Sequence, residues 1–277
     1  MTKRIKLLIV AVIIAAVVSS AIIVPQYLSE TVKSDISFSA RTNNEPLYVA
    51  HRGLSSLCPQ NTLPAFEAAA EYGFYGYELD VHTTADGKWV VIHNDTVDSM
   101  TNGEGEVEKF TFDEIRKLKI DSGNGIENHR NLQIPTLEES LEICKRSNII
   151  PFIEIKKCDV KYMQGFIEIL NKFGIREKCV VISFNFDYLL EVQKYSPETE
   201  LMYLISKPTM EAVDRCAENG KIGFDFNYKK AYMRPGVIKY AKEKGLKLGA
   251  WTVDNTIDCD LMRAFGVEII TTNRILP

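Results

Sequence analysis

The sequence is poor in the features that would place it outside the globular proteins. Ten prolines and 16 glycines in 277 residues are too few for a disordered or collagen-like chain. There is no basic excess: the net charge is −4 and the pI is near 5.7, so the basic face of a nucleic-acid binder has no signature here. The six cysteines (58, 144, 158, 179, 216 and 259) show no CxxC spacing, which gives a zinc ribbon no support. Only one apolar run, Leu7–Val24, is long enough to span a bilayer, and one span does not make a transporter. What remains is 45% hydrophobic and 25% charged, with enough length to bury a substantial core without disulfide staples.

The chain is uneven. Lys3, Arg4 and Lys6 precede the uncharged run Leu7–Val24, so the three cations of the head leave −7 on the remainder. Ser19-Ser20-Ala21 would serve as a signal-peptide cleavage site, but Ile22, Ile23 and Val24 continue the apolar run beyond it. Residues 1–24 are therefore read as an uncleaved membrane anchor in preference to a cleaved leader. No polar face interrupts the run, as a buried core helix would require. Basic residues stay on the cytoplasmic side, so either reading puts the body outside: on the cell membrane as a single-pass protein, or secreted after cleavage. Residues 25–45 are polar and read as a linker. Cys144, Cys179 and Cys216 lie in apolar-periodic segments and read as buried thiols. Cys58 and Cys158 lie in loops that an exported body could oxidise to a disulfide.

From residue 46 onward, short β-rich runs alternate with amphipathic stretches. Strand-like runs cover 47–50, 76–81, 89–93, 150–155, 179–184, 201–205, 222–226, 247–253 and 268–271. Helical patterns cover 62–72, 136–147, 160–173, 186–195, 209–219, 234–244 and 256–265. Strand–helix alternation implies parallel βαβ units, and about 232 residues suit a (β/α)8 TIM barrel. The ninth run has a local explanation. Asp86-Gly87 reads as a two-residue hairpin turn, making 89–93 the return arm of 76–81, with Asp80 opposite His93 and His82 opposite Val91. The stretch 94–135 has no strong strand or long helical pattern beyond a short helix near 111–118. It reads as an insertion over one end of a distorted α/β barrel.

Reactive groups of such barrels gather at the C-terminal ends of strands. There the sequence places His51-Arg52-Gly53, then Glu78 and Asp80 two residues apart and so on one side of a strand, then His93, Glu154, Lys156 and Trp251. Three carboxylates together are costly to bury without a cation. Glu78, Asp80 and Glu154 fit an oxygen-ligand site for one divalent cation, Ca2+ or Mg2+. His51 and His93 suit acid–base work near neutral pH, and Arg52 and Lys156 would bind an anion such as a phosphate. Singly, each has a plainer reading as a strand cap, an edge residue, a surface ion pair or core packing. Their coincidence at one end of separate strands is what points to a site.

The motifs His51-Arg52-Gly53, Pro59-Gln60-Asn61-Thr62, Glu78-Leu79-Asp80-Val81, Thr84-Ala85-Asp86-Gly87, Val90-Val91-Ile92-His93, Thr101-Asn102-Gly103, Ile134-Pro135-Thr136-Leu137-Glu138-Glu139, Glu154-Ile155-Lys156 and Trp251-Thr252-Val253 closely resemble those of the glycerophosphodiester phosphodiesterases. The likeness runs through nearly all of 47–277. It implies metal-dependent hydrolysis of a small-molecule glycerophosphodiester to sn-glycerol 3-phosphate and an alcohol. It makes Glu78, Asp80 and Glu154 metal ligands, His51 and His93 the acid–base pair, Arg52 and Lys156 phosphate contacts, and Trp251 a wall against the glycerol. The reaction it implies uses the substrate's own 2-hydroxyl as nucleophile and passes through a cyclic phosphate. Three positions depart from the family pattern: Gln60 stands where Glu is usual, Asn94 where Asp follows the second histidine, and Ser99 near a frequent Arg. A related phospholipase D acting on lysophospholipids or sphingolipids is the alternative, disfavoured by the few apolar residues in 94–135. A non-catalytic binding protein on the same barrel would be favoured by loss of a histidine or ligand, and none is lost. No protein partner is evident.

Overall fold

The computed structural model describes residues 45–276. The apolar run Leu7–Val24 and all but the end of the linker lie outside the described residues. Among the described residues, no helix is long and apolar enough to cross a membrane. The elements run β1 (Leu47–Ala50), α1 (Leu63–Glu71), β2 (Gly76–Thr83), β3 (Trp89–Val91), α2 (Phe112–Ile115), α3 (Leu137–Ser147), β4 (Ile150–Lys157), α4 (Met163–Phe173), β5 (Val180–Ser183), α5 (Phe186–Tyr195), β6 (Glu200–Ile205), α6 (Met210–Glu218), β7 (Gly223–Asn227), α7 (Tyr228–Ala231), α8 (Pro235–Glu243), β8 (Leu248–Trp251), α9 (Thr256–Ala264) and β9 (Ile269–Thr272).

Eight strands pair in parallel in the order β1-β9-β8-β7-β6-β5-β4-β2, and β1 closes the ring on β2. The result is a TIM-barrel-like α/β fold. The helices begin where side chains can satisfy their free N–H groups. Thr62, Thr136, Asn185, Thr209 and Asn255 each accept a backbone N–H at a helix start, and Glu139 completes a capping box with Thr136. Period-2 alternation divides the apolar residues into two layers. Phe66, Tyr77, Phe166, Phe224 and Phe226 pack between strands and helices. Val49, Phe152, Val180, Ile182, Met202, Leu204 and Ile269 fill the barrel interior.

The β2–β3 hairpin differs from expectation by one residue. Val81 pairs with Val91, His82 with Val90 and Thr83 with Trp89, and Ile92 N–H, not His93, donates to Asp80 O at 3.0 Å. The turn has three residues, Ala85-Asp86-Gly87, instead of two. Thr84 and Lys88 close it, with Thr84 N–H donating to Lys88 O and Lys88 N–H to Thr84 Oγ1, both at 2.9 Å. Gly87 supplies the left-handed conformation (φ +76°) that such a loop needs. A one-residue slip inverts faces along a strand. His93 escapes that consequence because β3 ends at Val91, leaving it free of the ladder.

The segment 94–135 is more apolar inside than its sequence suggested. Val97, Met100, Val107, Ile115, Ile120 and Ile134 form a small core with Val90 and Ile92 of the hairpin. All six cysteines are free thiols, so Cys58 and Cys158 are not joined; Cys144, Cys179, Cys216 and Cys259 are buried.

The turn after β1 sets the position of the first motif. Arg52 and Gly53 are successive left-handed residues (φ +57° and +73°). This bend aims Arg52 N–H at Glu78 Oε2, 2.8 Å away, while Gly53 N–H reaches Glu78 O at 3.1 Å. A Cβ on Gly53 would lie 2.6 Å from the Ala65 backbone at the start of α1. Gly53→Ala should therefore cost more than about 1 kcal/mol from conformation and overlap together. A urea unfolding midpoint equal to that of the wild type would disprove this account of the turn.

Candidate active site

Strand register brings the carboxylates together. Asp80 of β2 is the direct partner of Glu154 on β4, and Glu78 lies two residues earlier on the same face. All three are buried, and each offers an oxygen within 4.8 Å of the others. Glu78 Oε1 and Asp80 Oδ1 have no hydrogen-bond partner. Burial, then Asp80 and Glu154, pushes Glu78 well above the usual carboxylate range. Burial, then Asp80, pushes Glu154 up to about 8. Asp80 is buried too, but His93, Lys156 and Arg52 hold it below its ordinary value. Burial and mutual repulsion thus weigh most on Glu78 and Glu154. Hard oxygen donors with unpartnered lone pairs fit a hard divalent cation, whose charge would offset that repulsion.

Cations and imidazoles face this cluster. Lys156 Nζ lies 2.9 Å from Glu154 Oε1 and 3.7 Å from Asp80 Oδ1. Arg52 Nε is 3.5 Å from Asp80 Oδ2 and makes no hydrogen bond, while its Nη1 donates to Gln60 Oε1 at 2.6 Å. His51 Nδ1 is 2.7 Å from Asn273 Oδ1. Asn273 Nδ2 donates to Asp254 Oδ2 at 2.8 Å, which fixes the amide and makes its oxygen the acceptor. His51 therefore carries its proton on Nδ1 and presents a free Nε2 lone pair. His93 Nδ1 stands in the same relation to Asn94 Oδ1, also at 2.7 Å. Burial, then the Arg52 guanidinium, lowers His51 to about 4. Burial lowers His93 as well, against the attraction of Asp80.

His51, Arg52, Glu78, His93, Glu154, Lys156 and Trp251 line one cavity of 150 Å³ at the C-terminal ends of the strands. Asp80 is buried behind it. Trp251 stacks edge-on with Phe184 at 5.5 Å, and its indole N–H donates to Asp225 O at 3.3 Å. The eight residues singled out in the sequence are thus gathered at one place.

Sequence reasoning passed over their supports. Asn61 holds Asp80 from two sides, donating Nδ2 to Oδ2 at 2.7 Å and accepting Asp80 N–H at 3.2 Å. Asn273 and Asp254 orient His51. Their signal was position, since Asn273 directly follows β9. Asp225 also lines the cavity. Its signal was the run Phe224-Asp225-Phe226: in a strand buried on both faces, the odd polar residue points into the barrel. Two of the three departures form a pair, for Asn94 Nδ2 donates to Ser99 Oγ at 2.9 Å. A neutral amide therefore orients His93. Gln60 likewise gives Arg52 a neutral acceptor.

Comparison with known proteins agrees with this architecture. A family model described as the glycerophosphoryl diester phosphodiesterase family matches residues 51–276. A glycerophosphodiester phosphodiesterase of Caldanaerobacter subterraneus is 37% identical over 234 residues, covering 82% of this chain and 93% of its own. A crystal structure of a glycerophosphodiester phosphodiesterase from Parabacteroides distasonis superposes with a TM-score of 0.71 at 29% identity, over 84% of this chain and 94% of that one. An Oleispira antarctica phosphodiesterase, solved in complex with its product sn-glycerol-3-phosphate, shares the fold with a TM-score of 0.76 at 24% identity, over 83% and 93% of the two chains. With the family model matched over residues 51–276, well over half of its length, the chain belongs to the glycerophosphoryl diester phosphodiesterase family.

Proposed function

We propose that this protein hydrolyses glycerophosphodiesters to sn-glycerol 3-phosphate and an alcohol, using His51 and His93 for proton transfer. The observation that carries the reading is the single cavity in which two imidazoles, each anchored through Nδ1, meet two cationic side chains and the edge of a cluster of three buried carboxylates. The family membership supports the substrate class.

Glu78, Asp80 and Glu154 would hold a divalent cation, Ca2+ or Mg2+, which when bound offsets phosphoryl charge and polarises a ligated oxygen. Arg52 Nε, a donor without a partner, and Lys156 Nζ bind the phosphoryl oxygens. Trp251 and Phe184 wall the carbon skeleton. One histidine accepts the proton of the glycerol 2-hydroxyl at its free Nε2 as the oxygen attacks phosphorus. The other enters the step as imidazolium, favoured by the bound phosphodiester's negative charge, gives its Nε2 proton to the departing alkoxide and is left as the free base. Water then opens the cyclic phosphate with the roles exchanged: the free base takes the water's proton and the imidazolium returns its proton to the glycerol 2-oxygen. Asn273 and Asn94 keep both Nε2 atoms turned toward the substrate. The apolar side chains of 94–135 are spent on the insertion's own core, so they offer no acyl channel of the kind a phospholipase D would use. Leu7–Val24 would anchor the chain in the cell membrane with the barrel outside, next to substrates released at the cell surface; cleavage would secrete it instead.

His51→Ala and His93→Ala should each slow glycerophosphocholine hydrolysis by about 10²–10⁴-fold with unchanged circular dichroism. Wild-type rates in both would overturn the acid–base assignment. The ion site has a readout independent of turnover. A glutamate held near 8 in the fold and near 4.5 when unfolded costs stability increasingly as pH rises between those values. A cation replacing the proton removes that cost. The rise in Tm on adding Ca2+ or Mg2+ to EDTA-treated protein should therefore be larger at pH 8 than at pH 5. An ion-independent Tm at both pH values would refute the site. Protease added to intact cells should digest the barrel, and protection would invert the topology.

A further inference from the structure

Asp225 is a buried carboxyl that the chemistry above does not use. It sits on β7, and β7 is four strands from β2 in either direction round the ring. The wall bearing Asp225 is thus diametrically opposite the wall bearing Glu78 and Asp80. Its direct neighbours on the adjoining strands are Leu204 and Gly249, and Met202 and Ile182 belong to the same interior layer. The side chain is 2% exposed, it lines the cavity, and its Oδ1 has no hydrogen-bond partner. Burial alone pushes its carboxyl up to about 8, which favours the protonated form, able both to donate and to accept. Gly249 makes room for it, because a Cβ there would come within 2.7 Å of both Cγ and Oδ1.

A polar atom left unpaired in an apolar interior costs about 1–3 kcal/mol, and nothing in the barrel offsets that cost. The barrel fold does not need a carboxyl here, since such interiors are ordinarily filled by branched apolar residues. A substrate whose phosphorus lies against the β2 wall must extend its polyol away from that wall, across the cavity. The 2-hydroxyl, worked on by the histidines, stays near the phosphorus. The terminal hydroxyl is the group that reaches the far side.

We infer that Asp225 is a specificity-determining residue that hydrogen-bonds the terminal hydroxyl of the substrate's glycerol, opposite the reacting phosphodiester. The inference rests on the reading of the protein as a glycerophosphodiesterase and adds the group that distinguishes glycerol from a shorter or deoxygenated diol. Trp251 is tied to the same residue through its bond to Asp225 O, so the apolar wall and the polar contact for the polyol are built from adjoining strands.

The test compares two substrates on the full-length protein: sn-glycero-3-phosphocholine and its 1-deoxy analogue, in which the terminal CH2OH is a methyl group and the 2-hydroxyl is kept. Wild type should favour the first by about 10- to 100-fold in kcat/KM. Asp225→Leu should bring that ratio close to one. Asp225→Asn, which keeps a donor and an acceptor in the same shape, should retain most of it. Equal kcat/KM for the two substrates in the wild type, or an unchanged ratio in Asp225→Leu, overturns the inference; the first result needs no variant to fold. A merely structural role for Asp225 would lower both activities together and leave the ratio alone. Failure of the wild type to hydrolyse either substrate would instead refute the underlying activity, so the two failures are distinguishable.

Discussion

Three carboxylates share the interior of this barrel, and their mutual repulsion and lost hydration constrain everything around them. Burial and repulsion raise the proton affinity of Glu78 and Glu154 above that of exposed glutamates, while His93, Lys156, Arg52 and Asn61 stabilise the charge on Asp80. Coulombic attraction in a medium of low polarisability is strong but does not by itself repay desolvation. The cluster is a poor way to stabilise a fold and a good way to hold a doubly charged ion. The strained turn at Arg52-Gly53 belongs to the same economy of the site, because it delivers a backbone N–H to Glu78 where a side chain would not fit.

The imidazoles are held by neutral partners, which affects their chemistry. Carboxylates beside His51 and His93 would raise both pKa values and favour imidazolium. Amide oxygens from Asn273 and Asn94 fix the tautomer with less effect on charge. Asp254 sits one step behind His51, holding Asn273 through two hydrogen bonds of 2.8 Å, so orientation is transmitted while most of the negative charge is kept at a distance. Gln60 does the same for Arg52. Where a glutamate would tie the guanidinium in an ion pair, a glutamine leaves its charge available to an anion. Two of the departures from the family pattern, Gln60 and Asn94, thus remove negative charge around the carboxylates, while Ser99 removes a positive charge beside Asn94.

The net charge acquires a different meaning once the side chains are placed. The acidic excess of the body suggests an ordinary solvated surface, yet Glu78, Asp80, Glu154 and Asp225 are all within the barrel. Arg52 and Lys156 meet them there, so an acidic protein presents positive charge at the one place where its substrate's phosphate would bind.

Much of this was legible in the sequence. Short apolar β-rich runs and amphipathic stretches between them marked eight strands and their helices to within a few residues, because a parallel barrel buries both faces of each strand and one stripe of each helix. The site residues were legible because polar and charged side chains interrupt or directly follow runs that are otherwise apolar. The hairpin register was not, because Asp86-Gly87 fits a two-residue and a three-residue turn equally, and only the hydrogen bonds of Thr84 and Lys88 choose between them. Asn61, Asp225 and Asn273 stand up to 212 positions apart along the chain, and nothing local says that they converge on Asp80, the cavity and His51. Composition and periodicity fixed which surfaces had to be buried. Only the closure of the ring decided which polar groups would face one another inside it, because that depends on strand order and stagger, which local sequence does not encode.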